Sequence, residues 1–289
     1  IKQLSEYAKA KNITDITFMG VPKTIDNDLA VTDHTPGYGS AAKYIASTMK
    51  EIIRDALVQP IKIVNIIEIM GRNAGWLTAA AALAKGDDCE GADLIYLPET
   101  VFDINKFVAK VQEIQKTKKQ IVVAVSEGVK TADGKYVCES ASSNMLVDSF
   151  GHKQLSGTAT ALANVISNEI GCKTRAIEFS TIQRCASHIA SLTDVNEAFI
   201  VGGIAVKAAF DGETGKVGIF QRLSNKPYLM GTSIYDVNAI ANVEKTVPQE
   251  WIINDGTGVS QEALDYMRPL IQGEIYPYMV DGLPRHIKL

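Results

Sequence analysis

The sequence predicts an α/β protein: two closely packed three-layer lobes with mainly parallel sheets. Three observations carry that expectation. Helix-period and strand-like segments alternate along the first half of the chain, as they do where helices cover both faces of a parallel sheet. The run at residues 61–69 is rich in β-branched residues and apolar on both faces, which marks a strand buried inside such a sheet. No repeat and no low-complexity linker interrupts the 289 residues, so two lobes in a chain of this size are expected to pack against each other.

The elements follow in order. Residues 1–10 read as a helix, and the apolar run Ile16-Thr17-Phe18-Met19 as a buried strand over 15–19. A helix over 38–56 places Ile45, Met49, Ile52, Ile53 and Leu57 at helical spacing. The strand at 61–69, a helix over 74–85 and a strand over 93–97 come next. Asp103 is placed to cap a helix that runs to about 116, and a strand over 120–125 follows. Beyond Glu127 the alternation is less regular: helix 157–170, strand 174–179, helix 194–210. The turn Gly212-Glu213-Thr214-Gly215 leads into an extended stretch at 216–222, and 260–273 reads as a last amphipathic helix. The lobes are expected to divide into 1–126 and 127–289.

Composition narrows the function. Hydrophobic residues make up 46% of the chain, enough for a large core, and the net charge is −4. That balance argues against a nucleic-acid or membrane-surface partner. A small anionic substrate would have to be met by local Lys and Arg. Cys89, Cys138, Cys172 and Cys185 are scattered with no CxxC pair, as expected of reduced thiols in a cytoplasmic protein and not of a metal site. No apolar run reaches the length of a membrane span. Ile1 is not a start Met, and no signal-like segment opens the chain.

The stretch Gly20-Val21-Pro22-Lys23-Thr24-Ile25-Asp26-Asn27-Asp28 carries the most chemistry. It follows the first strand, at the end of a strand where ligands bind in open α/β sheets. Asp, Asn and Pro all favour turns, so a plain turn is the simpler reading of any part of it. Taken together, the residue types suit phosphoryl transfer. One carboxylate can accept a hydroxyl proton, a second can hold Mg²⁺, and a Lys can neutralise charge on the moving phosphate.

GVPKTIDNDL resembles the catalytic signature of the phosphofructokinases, which phosphorylate fructose 6-phosphate at its 1-hydroxyl. Met70-Gly71-Arg72-Asn73-Ala74-Gly75-Trp76 resembles the family's sugar-phosphate motif, and Asp93-Leu94-Ile95-Tyr96-Leu97-Pro98-Glu99 the strand segment after it. Glu127-Gly128 and Thr181-Ile182-Gln183-Arg184 fall in the family's order. The resemblance runs from about Gly20 to the C-terminus. It implies a phosphofructokinase-like fold, with 1–126 as the remainder of the catalytic and donor lobe and 127–289 as the sugar-phosphate lobe and tail. Family members carry a further N-terminal stretch with a Gly-rich donor loop. No such loop occurs in this chain, so the chain is expected to be a fragment or one piece of a cleaved polypeptide.

The resemblance also implies roles. Asp26 matches the family's general base and Asp28 the acid that lies toward Mg²⁺. Thr24 matches a residue that touches the sugar or the donor phosphate. Met70, Gly71 and Arg72 match the sugar-phosphate pocket, and Glu127 a carboxylate that accepts from sugar hydroxyls. Arg175 and Arg184 match arginines that clamp the 6-phosphate, one often reaching across a subunit boundary, which implies a homodimer or homotetramer. Many members have His or Tyr where Thr181 stands, so its contact departs from the pattern. Lys62 is one residue out of register with an Arg of the ATP-dependent bacterial enzymes. His34, His152, His188 and His286 match no catalytic position. Lys23 discriminates between donors: the position is usually Gly in the ATP-dependent bacterial enzymes and Lys in the pyrophosphate-dependent branch, although some ATP-using members also carry Lys. A fixed ammonium suits a bare phosphate leaving group. The leading expectation is therefore phosphoryl transfer from pyrophosphate. The alternatives are an ATP-dependent 6-phosphofructokinase and a non-catalytic regulatory subunit.

Overall fold

The computed structural model describes residues 1–140 and 155–286; His152 lies outside the described residues. In chain order the main elements are α1 (Lys2–Ala10), β1 (Met19–Gly20), α2 (Tyr38–Leu57), β2 (Ile63–Ile69), α3 (Trp76–Ala79), β3 (Leu94–Tyr96), α4 (Ile104–Ile114), β4 (Gln120–Ser126), α5 (Thr158–Ile170), β5 (Lys173–Glu178), α6 (Ile182–Cys185), α7 (Leu192–Phe210), β6 (Lys216–Asn225), β7 (Tyr228–Asp236) and α8 (Gln261–Met267).

The chain forms two compact units. One comprises Ile1–Lys43, Ala186–Lys245 and Asp265–Leu289, the other Tyr44–Cys185 and Thr246–Leu264. The second unit is built on a four-stranded sheet in the order β3-β4-β2-β5, parallel throughout. All seven residues of β2 are buried, Asn65 and Glu68 included, as befits a central parallel strand covered on both faces. Phe107 and Val111 of α4 and Leu162 and Ile166 of α5 pack with Val64, Ile66, Val123 and Val125 of the sheet. Each such side chain contributes on the order of 1.5–3 kcal/mol by leaving water. Asp103 caps α4 as the sequence predicts, its carboxylate accepting from the Lys106 N–H at 3.1 Å.

The first unit is built on the sheet β1-β6-β7, with β1 parallel to β6 and β6 antiparallel to β7. Helix α7 packs on all three strands, and the Ser191 hydroxyl at its start accepts from the Asp194 N–H.

Several expectations change. The first strand shrinks from 15–19 to Met19–Gly20, because its partner β6 begins opposite Met19, at Lys216; Ile16 is 51% exposed. The helix at 74–85 is one α-turn that tightens into a 3₁₀ turn, Ala80–Ala84. The last helix ends at Met267 and continues as a 3₁₀ turn, Arg268–Ile271, because Pro269 has no N–H to give to an α-helical ladder. Strand β7 has no counterpart in the sequence reading. The two units do not divide at 126/127: β4 before that point and β5 beyond it flank β2 in one sheet. The four cysteines are free thiols. Among the described residues no helix is long and apolar enough to cross a membrane.

Candidate active site

The predicted site residues fall into two sets, one in each unit. Lys23, Thr24, Asp26 and Asp28 lie in the first unit, in the loop that leaves β1. Lys23 is exposed, while Thr24, Asp26 and Asp28 are half-buried. Thr24 shapes the turn. Its hydroxyl donates to Asp26 Oδ2 at 2.9 Å and accepts from the Asp26 N–H at 3.1 Å. The Thr24 carbonyl in turn accepts from the Thr35 hydroxyl at 2.6 Å. Asn27 adopts a left-handed conformation, φ 55°, which Asn tolerates better than most residues, and its side chain is fully buried.

Behind the loop lies a buried polar network. Asn27 Nδ2 donates to Tyr266 Oη at 3.0 Å, and Lys245 Nζ donates to Asn27 Oδ1 at 3.3 Å. Lys245 Nζ also donates to the carbonyls of Thr32 and Asp33, at 3.2 and 2.6 Å. Burial pushes the Lys245 ammonium down to about 8, against the pull of Asp33 and Asp28. Asp33 accepts from Arg222 Nε and Nη2 and pairs with His34 Nδ1. His34 Nε2 meets Glu197 at 2.8 Å. Burial alone would lower the His34 pKa, but its two carboxylate partners raise it. Asp28 carries the opposite perturbation from Asp33: burial first, then the charge of Asp26, raises its pKa. An Asp28 carboxylate whose charge is disfavoured by burial and by neighbouring Asp26 fits a divalent cation, although no group of three or more metal-ligating side chains occurs among the described residues.

The second set lies in the second unit, around a cavity of about 310 Å³ at the C-terminal ends of β2, β4 and β5. Met70, Arg72, Glu127, Thr181 and Arg184 all line it. The β2 and β4 loops are tied together: the Gly71 N–H donates to Glu127 Oε1 at 3.3 Å, and the Ser126 hydroxyl donates to the Gly71 carbonyl at 2.6 Å. Gly71 has φ 141°, and a Cβ at Gly128 would lie 1.9 Å from the Arg72 carbonyl oxygen. Both glycines are therefore fixed by the close approach of the two loops. Arg72 Nε is buried with no hydrogen-bond partner among the described residues. Arg175 is not in the lining; its Nη1 is paired with Asp55 at 2.9 Å on the surface.

Sequence reasoning missed five lining residues: Glu68, Leu155, Ser156, Glu178 and Ser180. Glu68 is 4% exposed, and burial pushes its carboxyl up to about 7, with Glu178 and Glu127 adding to the rise. Its Oε2 accepts from the Ala159 N–H at the start of α5. The available signal was an acid inside a buried strand, Ile63–Ile69, whose other residues are apolar except for Asn65.

The Phosphofructokinase family profile matches residues 1–185. The chain is 39% identical over its whole length to the pyrophosphate–fructose 6-phosphate 1-phosphotransferase of Halomonas elongata, of which it covers 68%. It is 41% identical over 99% of its length to the enzyme of that name from Xanthomonas campestris pv. campestris, again covering 68%. It is also similar to the crystal structure of the pyrophosphate-dependent phosphofructokinase of Nitrosospira multiformis, with a TM-score of 0.87 and 36% identity, covering 99% of this chain and 67% of that one. The chain thus spans about two thirds of the length of these relatives. With motifs, sheet topology and sequence in agreement over this span, the chain belongs to the phosphofructokinase family.

Proposed function

We propose that the protein transfers a phosphoryl group from pyrophosphate to the 1-hydroxyl of fructose 6-phosphate, giving fructose 1,6-bisphosphate and phosphate as a step of glycolysis. One observation carries the reading: the buried, unpartnered Arg72 Nε at a cavity that Arg184 also lines. A buried guanidinium nitrogen without an acceptor is costly, and a phosphate oxygen removes that cost through a charge-assisted hydrogen bond. Arg72 and Arg184 hold the 6-phosphate, and Glu127 accepts from sugar hydroxyls.

Asp26 takes the proton of the 1-hydroxyl as that oxygen bonds to phosphorus. The bridging P–O bond of pyrophosphate breaks, and its electron pair leaves on phosphate. Thr24 orients the Asp26 carboxylate through the 2.9 Å hydrogen bond. Lys23 stabilises the charge of the leaving phosphate. Asp28, with Asp26 beside it, would hold Mg²⁺, which supplies charge neutralisation on the phosphoryl oxygens when bound. Four free thiols support a cytoplasmic setting. Arg175, outside the cavity lining, is assigned to a neighbouring subunit's sugar phosphate in a two-fold homo-oligomer.

An aldolase-coupled assay of the intact protein with fructose 6-phosphate, pyrophosphate and Mg²⁺ tests the reading. Steady production of fructose 1,6-bisphosphate, and its reversal by phosphate, are expected. Binding of fructose 6-phosphate with no product from any donor would leave a non-catalytic role.

A further inference from the structure

The loop that carries Asp26 and Asp28 is strapped from behind at its middle. Asn27, between the two acids, points the other way from the solvent: its side chain is fully buried and meets Tyr266 Oη and Lys245 Nζ. Those two residues then grip the far end of the same loop. Lys245 Nζ donates to the carbonyls of Thr32 and Asp33, and the Tyr266 hydroxyl donates to the Asp33 carbonyl at 2.6 Å. The Lys245 backbone N–H donates to the Asp28 carbonyl at 2.7 Å, and Leu29 forms a bridge with Glu244. Residues 27–33 thus close a crescent around one ammonium and one phenol drawn from distant parts of the chain.

Resting on the phosphoryl-transfer reading above, we propose that Lys245 and Tyr266 are positioning residues. Through Asn27 and the carbonyls of Asp28, Thr32 and Asp33 they fix where the carboxylates of Asp26 and Asp28 stand. Neither side chain touches substrate. The alternation is what makes the device work. Asn27, in the left-handed region, has its side chain buried, while its two acidic neighbours are half-buried. The inward grip adds to the hydrogen bond from Thr24 that holds Asp26 within the turn. Arg222 supports the same crescent at its end: it donates to Asp33 and to the Tyr266 carbonyl, and its guanidinium lies 4.4 Å from the Tyr266 ring centroid.

The test uses Tyr266→Phe, which removes one hydroxyl, and Lys245→Met, which removes the ammonium and keeps the length. A destabilised control, Phe107→Leu in the core of the other unit, shows what lowered stability alone does. Each protein is assayed for kcat, for the KM of fructose 6-phosphate and for half-saturating Mg²⁺. Hydrogen exchange is followed in the amides of residues 24–33. Both variants are expected to lose kcat by about 10- to 100-fold, since misplacement of reacting groups by about 1 Å costs that much. KM should stay within about twofold, because sugar-phosphate binding does not use this loop. Half-saturating Mg²⁺ should rise, and loop amides should exchange faster while those of α4 do not. In Phe107→Leu, kcat and loop exchange should match wild type. Turnover within about twofold of wild type in both variants, or unchanged exchange in the loop, overturns the proposal. A wild-type protein with no turnover would remove the functional reading, and the exchange rates would then decide the anchor by themselves.

Discussion

Thr24 and Asp26 bind each other reciprocally: the Thr24 hydroxyl donates to Asp26 Oδ2 at 2.9 Å and accepts from the Asp26 N–H at 3.1 Å. The pair folds the turn that presents the carboxylate, so the orientation of the proposed base is encoded two residues before it.

Asp26→Ala should therefore abolish turnover and leave fructose 6-phosphate binding nearly intact. A general base contributes about 10²–10⁴ in rate, and Asp26 has no part in the cavity that Arg72 and Arg184 line. Single-turnover kinetics alongside calorimetric binding check both halves; retention of more than about a tenth of kcat would remove Asp26 from that role.

Arg72→Ala and Arg184→Ala should each raise the KM of fructose 6-phosphate more than they lower kcat. Loss of a charge-assisted contact costs roughly 1.5–3 kcal/mol, or about 10- to 100-fold in KM. Steady-state kinetics on both variants decide this. An unchanged KM in both would take the arginines out of the sugar-phosphate site.

Glu68 should make stability fall as pH rises. Its carboxyl is held at about 7 against a reference value of 4.5, so the folded state binds the proton more tightly than the unfolded chain. The resulting stabilisation is complete below about pH 4.5 and is lost as pH climbs through 7. At about 1.4 kcal/mol per pKa unit its upper bound is ~3.5 kcal/mol. Glu68→Gln keeps an acceptor for the Ala159 N–H and removes the titration. Urea melts of both proteins between pH 4.5 and 8 should show a slope in the wild type that is flattened in the variant; parallel curves would contradict this.

The sequence made most of this architecture legible where a pattern was long. Ile63–Ile69 and the alternation around it announced a parallel sheet, and the 3.6-residue period of Ile45, Met49 and Ile53 announced α2; all three side chains are buried. The short elements were not legible. Ile16-Thr17-Phe18-Met19 has strand-like residues, but pairing is settled by β6, nearly 200 positions later, and reaches only Met19 and Gly20. The site was legible through the family motifs at Arg72, Glu127 and Arg184, which the fold gathers around one cavity. Arg175 lies elsewhere, on an ion pair with Asp55. Lys245 and Tyr266 were invisible, because a buried Lys or Tyr far along the chain carries no sign of the loop it will hold.

Arg175 is expected to matter only in an oligomer. Sedimentation of the protein at micromolar concentration should give a dimer or a larger closed assembly. Arg175→Ala should raise the KM of fructose 6-phosphate without opening the Arg72 cavity. A monomer that still binds fructose 6-phosphate tightly would show that one chain completes the clamp.

Donor choice is the most direct test. Fructose 6-phosphate turnover is measured with pyrophosphate and with ATP at equal concentration, for the wild type and for Lys23→Gly. If the Lys23 ammonium stabilises a bare phosphate leaving group, the wild type turns over faster with pyrophosphate, and Lys23→Gly loses most of that rate. Faster turnover of the wild type with ATP would contradict the proposed chemistry.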